Sequence, residues 1–151
     1  METWKIHIIC EGLNILEIKF KDFLISDDKE KLQLDKVCQL LNDTYWAKDR
    51  PREIIEKSIA NAICFGIYLD DKQIGFARCV TDFATVYWLA DVVIDNDYRK
   101  LGLGKALVDT VVKHEQLKGC IGILGTQDAH DLYKKFGFNL VTDRFMRKSA
   151  E

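Results

Sequence analysis

The residues best suited to chemistry lie near the middle of the chain, in a glycine-bearing loop from Arg99 to Lys105. An apolar run that ends at Ile94 is typical of a strand, and a run with helical periodicity begins at Ala106. Glycine lets the backbone approach a ligand closely, and the first N–H groups of a helix have no partner inside that helix. A loop that opens a helix in this way predicts a binding site for a phosphate.

Two common nucleotide-binding motifs do not fit this loop. A Walker loop has glycine where this chain has Arg99, and a hydroxyl residue for magnesium where this chain has Ala106. The dinucleotide-binding fingerprint has a third glycine where this chain has Leu107. A plain glycine-containing turn is the alternative if the loop is considered alone. The pattern Arg-x-x-Gly-x-Gly that remains resembles the pyrophosphate loop of the GCN5-related N-acetyltransferases (the GNAT family), which use acetyl-coenzyme A.

Two further parts of the chain resemble the same family and follow in the same order. In the segment 129–138, Tyr133 lies on a predicted short helix that ends at Gly137-Phe138, which is similar to the family's second signature. Segments 64–69 and 73–78 resemble its central strands, so the resemblance covers roughly residues 30–142. It implies the acyl-CoA N-acyltransferase fold, an α/β (α+β) architecture with a mixed, mostly antiparallel central sheet flanked by helices.

The resemblance also implies that acetyl-coenzyme A (acetyl-CoA) is the co-substrate and that backbone groups bind most of it. Its pyrophosphate would accept hydrogen bonds from N–H groups of the loop, while Arg99 and Lys105 add positive charge. The end of the preceding strand would pair with the pantetheine arm, which requires a strand edge without another strand on it. The predicted cofactor-binding residues are Val92, Val93, Ile94, Arg99, Lys100, Leu101, Gly102, Leu103, Gly104 and Lys105.

Tyr133 is the predicted catalytic residue, because it resembles the family's tyrosine that hydrogen-bonds or protonates the leaving thiolate of coenzyme A (CoA). A phenol of pKa about 10 would protonate a thiolate of pKa about 8.5 uphill by roughly 2 kcal/mol. Stabilisation of the thiolate by a hydrogen bond is therefore favoured over full proton transfer. The alternative role is structural, with Tyr133 packing beside Phe136 and Phe138.

The sequence leaves the general base open. Asp91 interrupts an apolar strand, and a buried carboxylate is costly unless it is paired. If Thr81 pairs with Val86 across a hairpin, Arg78 lies diagonal to Asp91 on one face of the sheet. That register favours a structural ion pair over a base. The other candidates for the base are Glu53, Asp82 and an ordered water.

The acceptor pocket of this family is usually built from the segment between the first two helices and from the central strands. In segment 43–50 of this chain, Tyr45 and Trp46 could cradle a cationic or apolar acceptor, and Arg50 could bind a carboxylate. Aromatic residues at a helix end also serve as core anchors, so both roles stay open. The predicted acceptor-pocket residues are Tyr45, Trp46, Arg50 and Asp91.

Hydrophobic periodicity predicts the elements that position these residues. The predicted strands are an N-terminal pair at 4–10 and 13–20, then 23–26, 63–69, 73–81, 86–94, 121–126 and 139–142. The predicted helices are 34–41, a segment from Pro51 to 62, about 103–117, and a short helix from an Asp128 cap to about 136. One domain is predicted over 1–151, with a strand extension at 1–22 and a GNAT-like core at about 23–148. His114 and His130 are expected on helix surfaces.

Composition excludes several classes of protein. A chain of 151 residues with 48% hydrophobic and 30% charged residues suits one globular domain. No apolar run is long enough to span a bilayer, and the start lacks a signal peptide's features, so no membrane partner and a cytoplasmic location are expected. The net charge of −2 gives no overall basic footprint for nucleic acid. The five cysteines are expected to be reduced thiols, and no metal site is predicted.

Two functions from different classes follow from this reading. The first is an acetyl-CoA-dependent N-acetyltransferase, a monomer or homodimer in which a primary amine of a small molecule or protein attacks the thioester directly. The second is a non-catalytic acyl-CoA-binding sensor of the same fold. Release of CoA across a panel of amines would separate them, because neither fold nor cofactor loop identifies the acceptor.

Overall fold

A single six-stranded sheet organises the protein, which we describe from a computed structural model covering residues 14–150. The strands lie in chain order across the sheet: β1 (Glu17–Phe20), β2 (Phe23–Ser26), β3 (Ile63–Leu69), β4 (Lys72–Thr81), β5 (Val86–Ile94) and β6 (Ile121–Ile123). The helices are α1 (Leu34–Asn42), α2 (Arg52–Ala60), α3 (Leu103–Val112) and α4 (His130–Lys134). Neighbouring strands are antiparallel except β5 and β6, which are parallel. The predicted mixed, mostly antiparallel sheet is confirmed.

The helices cover both faces of the sheet and create two apolar cores. On one face, α1 and α2 pack through Val37, Leu41 and Ile55 against Phe76 and Val93 of the central strands. On the other face, α3 and the side chain of Tyr133 from α4 pack against the remaining strand residues. Because β5 contributes side chains to both cores, its backbone is held between two packed layers.

The predicted N-terminal strand pair can be compared with the structure only in its second strand. The predicted strand at 4–10 lies outside the described residues, and the prediction for 13–20 corresponds to the shorter β1. β1 pairs with β2, with Phe20 opposite Phe23, and the turn between them holds Lys21 in a left-handed conformation, φ +53°. The hairpin of this part of the chain is therefore β1–β2.

The prediction that the helix after the loop continues to Leu117 is wrong, and so is the surface position of His114. α3 ends at Val112, and His114 adopts an extended backbone before a short 3₁₀ turn at Glu115–Leu117. The imidazole is only 5% exposed: its Nδ1 accepts from Gln116 N–H, and its Nε2 lies 2.8 Å from Asp27 Oδ2. These two contacts draw His114 inward and end the helix early.

The C-terminal predictions fail in three places. β6 ends at Ile123 instead of 126. Asp128 does not cap α4, because Ala129 is the N-cap residue and its N–H donates to Thr126 Oγ1. Residues 139–142 form no strand, and Leu140 remains 69% exposed there. A short apolar segment forms a stable strand only where it can bury one face, and this segment lacks that burial.

Candidate functional site

The loop between β5 and α3 forms a backbone cradle at the start of α3. Lys100 (φ +64°) and Gly102 (φ +83°) are both left-handed, a conformation that turns successive N–H groups toward one point. The first hydrogen bond within the helix runs from Ala106 N–H to Gly102 O. The N–H groups of Leu103, Gly104 and Lys105 consequently have no acceptor among the described residues.

This donor set fits the pyrophosphate of CoA, which needs several converging N–H groups and positive charge. Arg99, Lys100 and Lys105 are exposed around the cradle, so their charges are accessible to an anion. Beside the cradle, a cavity of about 530 Å³ lies between α1 and the end of β5, and Val93, Ile94 and Arg99 contribute to its wall. The cavity therefore adjoins the start of the loop that leads into the cradle.

The edge of β5 that faces β6 is paired only at its beginning. β6 pairs with Val86, Tyr87 and Trp88, and from Leu89 to Ile94 no strand among the described residues pairs with that edge. The register with β4 shifts between Phe76 and Arg78, opposite Asp91, whose backbone is left-handed at φ +55°. The bulge and the short β6 leave the outer edge at Val92 and Ile94 without a strand partner among the described residues, as the predicted role of this strand end requires, although Ile94 O accepts from Arg99 Nε at 3.4 Å.

Asp91 is the centre of a buried polar cluster on the α1–α2 face of the sheet. Its side chain is 2% exposed, and Oδ2 accepts from Arg78 Nε at 2.9 Å and from Arg50 Nη1 at 2.8 Å. Oδ1 accepts from Trp46 Nε1 at 3.1 Å. The predicted Arg78–Asp91 ion pair is confirmed, and Arg50 and Trp46 are two partners that the sequence reasoning did not assign to it.

The cluster holds Asp91 in its charged form. Burial acts to raise its pKa, but the hydrogen bonds and charges of Arg50 and Arg78 outweigh burial, so the pKa lies below the ordinary carboxyl value. A carboxylate whose proton affinity is reduced and whose two oxygens are both occupied is a poor general base. Two guanidinium groups also face one carboxylate, so the cluster has an excess of positive charge.

The segment between α1 and α2 places Tyr45 and Trp46 at the surface beside this cluster. Their rings stack edge to face at 4.9 Å and are 52% and 43% exposed, so neither ring is a buried core anchor. Tyr45 Oη accepts from Gln127 N–H at 3.1 Å, which connects this segment to the loop before α4. Trp46, Arg50 and Asp91 therefore share direct contacts, and Tyr45 reaches toward α4.

Tyr133 lies on α4 with only 9% of its surface exposed and its ring 5.9 Å from that of Phe138. Burial, followed by the nearby Tyr45 and Asp128, raises the pKa of Tyr133 to about 12. Its hydroxyl therefore stays protonated and can donate a hydrogen bond. The bond from Gln127 N–H to Tyr45 Oη, just before α4, places the predicted acceptor pocket near the helix that carries the predicted catalytic residue.

The other proposed bases have different positions. The carboxylate of Asp82 accepts from the hydroxyl and N–H of Thr85 and from the N–H of Ala84, and these bonds hold its pKa well below the usual range. Asp82 closes the β4–β5 turn and is not available as a base. Glu53 is exposed in the first turn of α2.

The remaining titratable groups give no sign of metal chemistry within the described residues. No group of three or more His, Cys, Asp or Glu side chains that could hold a metal ion occurs between residues 14 and 150. Cys64 and Cys79 are buried free thiols, and burial raises their pKa to about 11 and about 12. His130 is half-buried on α4. Among the described helices, none is long and apolar enough to cross a membrane.

Comparison with known proteins identifies the acetyltransferase family that the sequence motifs resemble. The profile of the acetyltransferase (GNAT) family matches residues 34–138. The uncharacterized N-acetyltransferase ycf52 of Pyropia yezoensis is 31% identical over 133 residues, covering 81% of this chain and 73% of that protein.

Solved structures agree with the fold. A GNAT-family chain from Xanthomonas campestris pv. campestris has 35% identity and a TM-score of 0.81, with 85% of this chain and 93% of that chain covered. A GNAT-family acetyltransferase from Elizabethkingia anophelis, solved with acetyl-CoA bound, shares the fold at 18% identity and a TM-score of 0.63, covering 82% of this chain and 80% of that one. On the matched residues and the shared architecture, this chain belongs to the GNAT family of acetyltransferases.

Proposed function

We propose that this protein is an acetyl-CoA-dependent N-acetyltransferase in which a primary amine attacks the thioester directly. The observation that carries the proposal is the edge of β5 from Leu89 to Ile94, which has no strand partner within residues 14–150 and leads past the Asp91 bulge to the cradle at α3. A pantetheine arm has amide groups that can pair with such an edge, and a pyrophosphate fits the cradle at its end. One extended ligand satisfies both features.

Most of the cofactor-binding work in this proposal falls to backbone groups. The N–H groups of Leu103, Gly104 and Lys105 donate to the pyrophosphate, and Arg99 and Lys100 screen its charge. Backbone pairing along the β5 edge beyond Asp91 sets how far the pantetheine arm extends along the strand, and so sets the position of the thioester. Acetyl-CoA supplies the acetyl group in an activated form, and the chain's own residues orient it and exclude water.

Tyr133 acts on the departing sulfur. With its pKa raised to about 12, the hydroxyl remains a hydrogen-bond donor throughout the neutral range and stabilises a thiolate without giving up its proton. The acetyl group forms a bond to the amine nitrogen as the bond to sulfur breaks, and the sulfur leaves with the electron pair. Solvent water accepts the proton that the amine loses in this proposal, since Asp91 and Asp82 are both occupied by other hydrogen bonds and Glu53 lies exposed in the first turn of α2.

The acceptor amine binds beside Tyr45 and Trp46 in this proposal. The amine must be neutral to attack, and the excess guanidinium charge around Asp91 favours loss of its proton by raising the energy of a nearby ammonium. Arg50 uses only one of its N–H groups on Asp91, so it can also bind an anionic group of the acceptor.

The test is CoA release from acetyl-CoA over a panel of amines, arranged as pairs that differ only in a carboxylate next to the amine. CoA release that depends on an amine, with a mass increase of one acetyl group on that amine, is the expected result. Tight binding of acetyl-CoA without release of CoA on any amine would contradict the enzymatic proposal and favour a sensor. An acetylated protein residue as an intermediate would contradict direct attack.

A further inference from the structure

The β1–β2 hairpin contacts the cofactor loop at three separate points. Phe23 stacks edge to face on Tyr98 at 6.2 Å, and Lys21 Nζ donates to Leu101 O at 2.8 Å. Phe20 lies against Gly102, with its Cζ 3.7 Å from the position that a Cβ would occupy there. The tip of the hairpin, residues 20–23, therefore lies directly on the backbone that forms the cradle.

The other end of the hairpin is fixed as well. Asp27, just after β2, accepts from Leu16 N–H through Oδ1 at 2.7 Å and contacts His114 Nε2 through Oδ2 at 2.8 Å. His114 lies beyond the C-terminal end of α3, whereas Gly102 is at its N-terminal end. The hairpin consequently spans α3 and is attached at both ends, which fixes where its tip can lie.

This hairpin precedes the part of the chain that the family profile matches. The family match begins at residue 34, whereas the hairpin occupies residues 17–26. The ammonium of Lys21 nevertheless bonds to the loop that carries the exposed cations Arg99, Lys100 and Lys105. Its contacts, Leu101 O and the Phe20 ring at 5.3 Å, are both uncharged and leave the positive charge uncompensated. Its neighbour Asp22 faces a different part of the hairpin, the cavity lined by Glu17 and Lys19.

We propose that the hairpin tip is a wall of the CoA phosphate site, in which Phe20 and Phe23 hold the cradle in its left-handed shape and Lys21 supplies a charge to the CoA phosphates. This inference rests on the proposed CoA site. Left-handed backbone at Lys100 is unfavourable for a lysine and persists only where its surroundings hold it. The two aromatic contacts on either side of Lys100 provide that support.

The experiment measures the affinity of CoA by calorimetry for the wild type, Lys21→Met and Lys19→Met. Lys19 is the matched control, because it is an exposed lysine of the same hairpin. Its side chain lines the cavity beside Glu17 and not the cofactor loop. Lys21→Met should weaken binding about fivefold at low salt, the upper end for one exposed charge interaction, and Lys19→Met should leave it within about twofold. High salt should reduce the difference.

Hydrogen exchange of the loop amides gives a second readout that does not depend on charge. Phe20→Leu keeps an apolar side chain but removes the ring against Gly102, and it should speed exchange at residues 100–105 in the free protein. Equal CoA affinities for Lys21→Met and Lys19→Met, with unchanged exchange in Phe20→Leu, would overturn the inference. A wild type that binds no CoA would instead overturn the proposed function itself.

Discussion

Replacing Tyr133 by phenylalanine removes one hydroxyl group and leaves the ring that packs against Phe138. If Tyr133 were a full acid, it would transfer a proton from a group of pKa about 12 to a thiolate of pKa about 8.5, at a cost of about 5 kcal/mol. A hydrogen bond to a charged group has no such cost and contributes about 1.5–3 kcal/mol. The expected loss in kcat for Tyr133→Phe is therefore about 10-fold to 100-fold.

The assay is steady-state CoA release together with CoA affinity, and it needs a control that removes another buried hydroxyl. Tyr87→Phe serves this purpose, because Tyr87 is 6% exposed in the same core as Tyr133, which is 9% exposed. Tyr87→Phe should retain kcat, and Tyr133→Phe should retain CoA affinity within about twofold because the cradle N–H groups bind the phosphates. Acyl donors with a more acidic thiol should lose less rate in Tyr133→Phe, since a weaker base needs less stabilisation. Equal losses of kcat and CoA affinity, or the same loss with every thiol, would refute this reasoning.

Four other substitutions, one of them a control, probe the elements that hold the site. Asp91→Asn should lower the free energy of unfolding by about 3 kcal/mol in urea titrations, because two half-buried guanidinium groups lose their counter-charge. The folded-state pKa of Asp91 lies below the ordinary carboxyl value, so the stability that its charge contributes is complete above about pH 4 and is lost as pH falls through the folded pKa. A difference in stability between the wild type and Asp91→Asn that persisted unchanged at pH 2 would contradict this. Gly102→Ala and Gly119→Ala should both lose about 1 kcal/mol of stability, since both glycines are left-handed, but only Gly102→Ala should weaken CoA binding in calorimetry. His114→Leu should cost about 1–3 kcal/mol in thermal or urea unfolding by removing the partner of Asp27 Oδ2, and unchanged stability would show that this buried contact is dispensable.

The positions of most strands and helices and of the cofactor loop could be predicted because each has a local signal. The glycine at 102 is needed where the backbone is left-handed, and α1 shows helical spacing of its apolar residues. His114 and Asp27 could not be paired from sequence, because they are 87 positions apart and neither has a distinctive neighbourhood. The same is true of Lys21 and Leu101, which meet only after α3 and the hairpin have packed together.

The Arg78–Asp91 pair was predicted correctly through a register that is wrong by one residue. Thr81 pairs with Tyr87 instead of Val86, because Asp82 accepts N–H groups from the turn and Thr81 Oγ1 donates to Val86 O. In the observed register Arg78 lies opposite Ala90, so regular alternation would turn Asp91 to the other face. The bulge at Asp91, which no local sequence signal predicts, returns its side chain to the face of Arg78.

The bulge also links the buried charges to the proposed chemistry. A regular β5 would present Asp91 to the apolar core beneath α3, where burial of a carboxylate is costly. With the extra residue, the carboxylate meets Arg50, Arg78 and Trp46, and the strand bends at the same point. Strand bending at the bulge opens the gap between β5 and β6. The one bulge therefore both pairs the carboxylate of Asp91 and leaves the edge of β5 beyond it without a described strand partner. The three partners of Asp91 come from two different parts of the chain, which fixes the segment carrying Tyr45 and Trp46 beside the free edge. In the proposed function, the ion cluster thereby positions the acceptor side of the site relative to the cofactor side, although Asp91 itself takes no proton.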